Sequence, residues 1–158
     1  MGTTDNYEYR AAHADEWQDA MGLAWRVFLK FVAPGYGERG VNSFRDFVTD
    51  NELYHMFLTG SYQLFGAFDA GRLIGMITLR GGHHISLLFV DEKYQQRGVG
   101  AALVDIVGQF AGRKPGEGRL TVNAAPDAVG FYHRVGFLDM DAEQLADGIR
   151  YVPMQFFL

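Results

Sequence analysis

Six residues, Gln95-Gln96-Arg97-Gly98-Val99-Gly100, stand where a chain can bind phosphate. The run before them, Leu87-Leu88-Phe89-Val90, is apolar, and Asp91 to Tyr94 form a short link. After them Val99, Leu103, Ile106, Val107 and Phe110 recur at helical spacing. A buried strand therefore feeds a glycine-bearing loop that opens a helix. The first turn of a helix has N–H groups without acceptors and a partial positive charge. Phosphates bind there, and small residues let the backbone come close. Arg97 and Lys93 add positive charge at the rim, so the loop suits a diphosphate. No Gly-Lys-Ser/Thr is present, which excludes a P-loop. A third glycine at dinucleotide-fold spacing is also missing. From these residues alone two explanations stand: an anion site, or glycines that allow tight helix–strand packing.

Other side chains have weaker claims. Tyr132 can donate or accept a proton, but it lies at helical spacing with Ala128, Phe131 and Val135 and also suits a core. His84 has an imidazole suited to proton transfer near neutral pH. It shares a strand face with Ser86, since alternate residues point the same way, and His83 points to the other face. A packing role for His84 is the alternative, and His133 is expected to face solvent. The five histidines lack metal-ligand spacing, so no metal is expected. Tyr36, Glu38 and Phe44 are candidates for substrate contact by position only.

The elements that must position these residues can be read along the chain. A short strand is expected over residues 7–10. An amphipathic helix over 14–31 follows, with Trp17, Met21, Ala24, Trp25, Phe28 and Val32 on one stripe. Pro34-Gly35 stops it, and Asn42 or Ser43 can cap a second helix running to about residue 49. A third helical piece is expected over 52–58. Strands over 63–69 and 72–80 meet in a hairpin at Asp69-Ala70-Gly71. The second is apolar on both faces, which marks a covered central strand. Further strands are expected over 84–90 and 119–123, with helices over 99–110 and 126–135. Pro126 starts the last helix and Gly136 ends it. A closing hairpin joins 137–140 to 151–157. There are no repeats and no linker, so residues 1–158 are read as a single domain, one sheet with helices on both faces.

Composition narrows the partners. The chain has 158 residues, enough for one core. Its 13 Phe, 8 Tyr and 2 Trp supply that core, with some aromatics left for an acceptor pocket or a homodimer face. The absence of cysteine excludes disulfides, thiolate nucleophiles and thiolate zinc sites. A net charge of -5 without a Lys/Arg cluster argues against nucleic acid and suits a cationic substrate. No apolar run approaches about 18 residues, so no membrane span is expected. The start, Met1 to Asn6, lacks a secretory leader, and a cytoplasmic location is expected.

The loop resembles motif A of the GNAT superfamily of N-acyltransferases, Gln/Arg-x-x-Gly-x-Gly/Ala, which Gln95, Gly98 and Gly100 fill. Downstream, the stretch from Asn123-Ala124-Ala125-Pro126 to Phe131-Tyr132-His133-Arg134-Val135-Gly136-Phe137 resembles the family's motif B. The order of strands and helices agrees over essentially the whole chain. The resemblance implies an α/β (α+β) fold with a mixed, centrally splayed sheet of about six to seven strands and helices on both faces. It implies acetyl-CoA as co-substrate. Backbone amides of Gln96, Arg97, Gly98, Val99, Gly100 and Ala101 would hold the pyrophosphate, beside Gln95 of the motif. The strand edge at Leu88, Phe89 and Val90 would pair with the pantetheine arm. Asn123 would contact that arm or the acceptor, and Tyr132 matches the family's frequent general acid.

The implied reaction is direct attack of a small-molecule or peptide amine on a thioester in a ternary complex. A base must first deprotonate the ammonium, directly or through water. A backbone N–H near Phe89 or Val90 would stabilise the oxyanion. Tyr132 would supply a proton or a hydrogen bond to the departing thiolate. Two alternatives stand beside this reading: a non-catalytic acyl-CoA-binding regulatory module, and a phosphate-binding α/β domain unrelated to CoA.

Overall fold

The computed structural model describes residues 6–116 and 118–158. Residues 1–5 and Glu117 lie outside that description, and with them the expectation about the start of the chain. The strands are β1 Glu8–Ala11, β2 Tyr62–Asp69, β3 Arg72–Arg80, β4 His84–Val90, β5 Arg119–Ala124, β6 Leu138–Asp139, β7 Gln144–Ala146 and β8 Ile149–Phe157. The helices are α1 Trp17–Val27, α2 Glu38–Val48, α3 Asn51–Thr59, α4 Val99–Gly112 and α5 Val129–Arg134. The strands form one sheet in the order β1-β2-β3-β4-β5-β8-β6, and β7 pairs with β8.

Helices cover both faces. On one side α4 and α5 bury Leu103, Val107 and Tyr132 against Ile77, Leu79, Leu120 and Val122. On the other, α1, α2 and α3 bury Met21, Ala24, Phe44 and Leu53 against Leu64, Met76 and Leu87. α4 comes very near β3 at Gly75, where a Cβ would stand 3.0 Å from Val99 and 3.2 Å from Leu103. The α1 side is stitched by rings: Phe28 and Phe44 stack in parallel at 3.9 Å, and Phe44 meets Phe89 edge-on at 5.7 Å.

Three local expectations are corrected. The first helix continues as a wide π turn over Phe28–Val32 and a tight turn over Ala33–Gly35. The π turn drives Phe28 into the core while leaving Leu29 and Phe31 exposed. The second helix starts at Glu38, not at Asn42 or Ser43, with Gly37 as its cap. Ser43 is drawn elsewhere: its hydroxyl donates to the Asp147 carbonyl at 3.0 Å. The third difference is β7, an extra strand. Asp147 and Gly148 both have positive φ, 53° and 78°, the backbone of a tight primed hairpin turn. The Asp-Gly pair was the available signal for it.

The feature that shapes the site is the parting of β4 and β5. They are the sheet's parallel pair, and they pair only at His84↔Thr121 and Ile85↔Val122. Beyond Ile85 that edge of β4 has no strand partner among the described residues. A bulge begins there. Thr78 pairs with Leu87 and Leu79 with Ile85, so Ser86 is an extra residue. In an unbroken strand Ile85 and Leu87 would share a face. Here Ile85 joins the α4-side core and Leu87 the α1-side core. The bulge re-aims the strand at the point where the cleft opens.

Candidate active site

Residues 91–101 carry the chain from β4 into α4. The Asp91 carboxylate accepts from the Lys93 amide at 3.0 Å, and the Asp91 amide donates to Ile74 O at 2.8 Å. Gln95 braces the loop, its side-chain amide donating to Val90 O at 3.0 Å. Its backbone amide goes to Glu92 O at 3.4 Å, so Gln95 positions the residues that follow. Gln96 and Gly98 have φ of 65° and 80°. A left-handed backbone at Gln96 costs roughly 1–2 kcal/mol. Such strain gathers at sites that use it.

The two glycines have different reasons. A Cβ on Gly98 would meet nothing within 4 Å, so Gly98 is set by conformation alone as the cap of α4. A Cβ on Gly100 would stand 3.3 Å from the Phe131 ring, so this glycine lets α5 approach α4. The first helical bond runs from Ala102 N–H to Gly98 O at 3.0 Å. Among the described residues, the amides of Gln96, Gly98, Val99, Gly100 and Ala101 have no protein acceptor. They form a row of donors at the positive end of a helix. The Arg97 guanidinium lies beside them, donating to the Tyr7 hydroxyl at 3.1 Å and resting over the Tyr94 ring.

Tyr132 projects from α5 into the α4-side core, where only 4% of it is exposed. Phe131 and Phe137 meet its ring edge-on at 5.1 and 5.2 Å. Its hydroxyl has no hydrogen-bond partner among the described residues. Burial alone pushes the phenol well above its ordinary range, so it stays protonated at neutral pH. Asn123 is exposed on β5, opposite Pro153 of β8.

The acceptor-side candidates separate. Phe44 belongs to the ring stack, and Glu38 is exposed in the first turn of α2. Tyr36 is half-buried and donates to the Arg150 carbonyl at 3.2 Å. Burial raises its phenol first, and the nearby carboxylate of Asp127 raises it further. A contact not expected from the sequence is that of the β7–β8 turn, which seats on α2. A Cβ on Gly40 would lie 2.7 Å from Gly148 O, and one on Gly148 would lie 2.7 Å from Gly40 N. Arg39 pairs with Asp147 at 3.3 Å across the same joint. Gly148→Ala is expected to lower unfolding free energy by about 1–3 kcal/mol, since it combines a backbone clash with a left-handed φ. Urea denaturation reads this directly. A change under about 0.5 kcal/mol would mean that the turn does not seat on α2 in solution.

The histidines also divide. His133 is half-exposed, with Nε2 2.7 Å from Asp139 Oδ1. His84 is half-buried, with Nδ1 2.7 Å from Thr121 Oγ1. Among the described residues no helix is long and apolar enough to cross a membrane.

An open sheet parted beside a donor-lined helix start is the architecture of an acyl-CoA-dependent transferase. Residues 32–158 match the family described as the acetyltransferase (GNAT) domain. The chain belongs to the GNAT family and is an acyltransferase. No curated protein matches the sequence. Solved structures share the fold at low identity. A GCN5-related N-acetyltransferase from Rhodopseudomonas palustris is 22% identical with a TM-score of 0.84, covering 100% of this chain and 99% of that one. The PaiA N-acetyltransferase from Thermoplasma acidophilum, solved with coenzyme A, is 19% identical with a TM-score of 0.78, covering 97% and 99%. A spermidine N-acetyltransferase chimera from Vibrio cholerae and hSSAT is 18% identical with a TM-score of 0.66, covering 96% and 95%.

Proposed function

We propose that residues 1–158 act as one N-acetyltransferase domain, moving the acetyl group of acetyl-CoA to a primary amine of a small molecule or peptide. The observation that carries this is the row of unpartnered amides at the start of α4, set beside the parted β4 and β5. Donors in that position suit a pyrophosphate. The amides from Gln96 to Ala101 hold the diphosphate, and the unpaired edge of β4 at Leu88, Phe89 and Val90 faces the pantetheine arm. Asn123, exposed on β5, touches the arm or the acceptor.

The acceptor amine, once deprotonated, forms a bond to the thioester carbonyl carbon. Its oxygen takes the negative charge, which a backbone N–H near Phe89 or Val90 stabilises. The carbon–sulfur bond then breaks, the sulfur leaves as thiolate, and the second proton of the now cationic nitrogen is lost to water as the amide forms. The Tyr132 hydroxyl, protonated and without a protein partner, donates to that sulfur. Because its phenol is pushed upward, it serves better as a hydrogen-bond donor than as a source of a fully transferred proton.

The decisive experiment incubates the protein with acetyl-CoA and a panel of primary amines: spermidine, lysine, tyramine and a peptide with a free α-amine. Release of free CoA and acetylated product is the expected outcome. Calorimetric binding of CoA without turnover on any amine would replace the proposal with a regulatory binder.

A further inference from the structure

The proposed transfer needs a group that accepts the ammonium proton, and the floor of the cleft holds a candidate. Leu120 and Val122 of β5 face the α4-side core, so Thr121 between them faces the α1 side. His84, its register partner, is bonded to it through Nδ1 at 2.7 Å. Ser86 shares that side, since its hydroxyl lies near that of Tyr62 in the α1-side core. His84 therefore sits one residue below the last β4–β5 pair, under the opening, with its ring held from one nitrogen. Its Nε2 has no partner among the described residues. Tyr132 lies on the other side of the sheet, among the α4-side residues.

We propose that His84 Nε2 is the terminal acceptor of the ammonium proton, reached through water in the cleft, with Thr121 holding the ring; this rests on the acetyltransfer proposed above. One N–H bond of the ammonium breaks, and its proton passes through water to Nε2. The freed lone pair forms the bond to the carbonyl carbon. Proton acceptor and thiolate donor then stand on opposite sides of the sheet, so neither quenches the other. Arg80 of β3 is the register partner of His84 across the β3–β4 pair, and His83 precedes it in the chain. Burial first, then the electrostatic influence of His83 and Arg80, holds the imidazole below its ordinary range, so it is neutral and able to accept at pH 7.

His84→Gln keeps a hydrogen-bonding group for Thr121 and removes the titration. With acetyl-CoA and the fastest amine of the panel, it is expected to lower kcat/KM at pH 7 by about 100-fold or more. The rise of wild-type kcat/KM with pH through a pKa below the ordinary imidazole range should vanish, while calorimetric CoA affinity stays within about twofold. Thr121→Val should shift that pKa and lower kcat, leaving CoA affinity intact. Proton NMR gives a readout independent of the acceptor: CoA should move the His84 imidazole signals and leave those of His133 in place. A His84→Gln enzyme that keeps its rate and pH limb overturns the role. So do His84 signals unmoved by bound CoA. Wild-type protein that binds no CoA at all overturns the acetyltransfer reading, and the role falls with it.

Discussion

Tyr132→Phe lowers turnover by about 100-fold and leaves CoA affinity unchanged. The ring keeps its contacts, because the edge-on meetings with Phe131 and Phe137 involve carbon alone. The lost hydroxyl has no protein partner among the described residues, so no internal hydrogen bond is broken. Stability should hold, since no protein hydrogen bond is lost and the ring packing is kept. The measurement is kcat with a saturating amine, alongside calorimetry with CoA and a urea titration. A structural hydroxyl would give the reverse pattern, with lower stability and unchanged turnover. A pure acyl-CoA binder has no turnover to lose, so the same variant separates that alternative too. The expected loss sits at the low end for acid–base groups because the phenol is held in its protonated form.

Gly98→Val weakens CoA binding by at least about tenfold, equivalent to about 1.4 kcal/mol. The position has room for a side chain, since a Cβ there meets nothing within 4 Å. Its φ of 80° is the obstacle. A β-branched residue resists that region, and the strain of about 1–3 kcal/mol is relieved by moving the loop. Any such movement misaligns the amides from Gln96 to Ala101. Calorimetry should show weaker binding of CoA, and circular dichroism an unchanged fold. Gly100→Ala is the control. Its Cβ presses on the Phe131 ring at 3.3 Å, which strains the α4–α5 contact and leaves the cap of α4 alone. Equal losses of affinity in both variants would defeat the distinction drawn between the two glycines.

Much of this site is legible in the residues alone. The strand over 84–90 appears with the bounds implied by its apolar run, and α4 starts at Val99 as its stripe implied. Those signals are local, because periodicity and glycine placement act within a few residues. The start of α2 is not legible in that way. Asn42 and Ser43 look like caps, but Ser43 finds a partner 104 residues away at Asp147. A cap competes with any other acceptor the fold brings near, and the local sequence cannot report that acceptor. β7 lies within reach of local reading through Asp147-Gly148, yet its seat on Gly40 does not, since it depends on two glycines meeting backbone to backbone.

By itself the sequence determined a mixed fold, a strand–loop–helix unit around residues 95–100 and a tyrosine downstream, all from short-range pattern and motif. Only the tertiary structure decided three further things. It assigned Gly98 to conformation and Gly100 to packing. It parted β4 from β5 after Ile85 with Ser86 as the bulge. It placed His84 and Tyr132 on opposite sides of the sheet. Each depends on which distant strand or helix lies against a residue. That is set by the packing of whole faces, which no local pattern encodes.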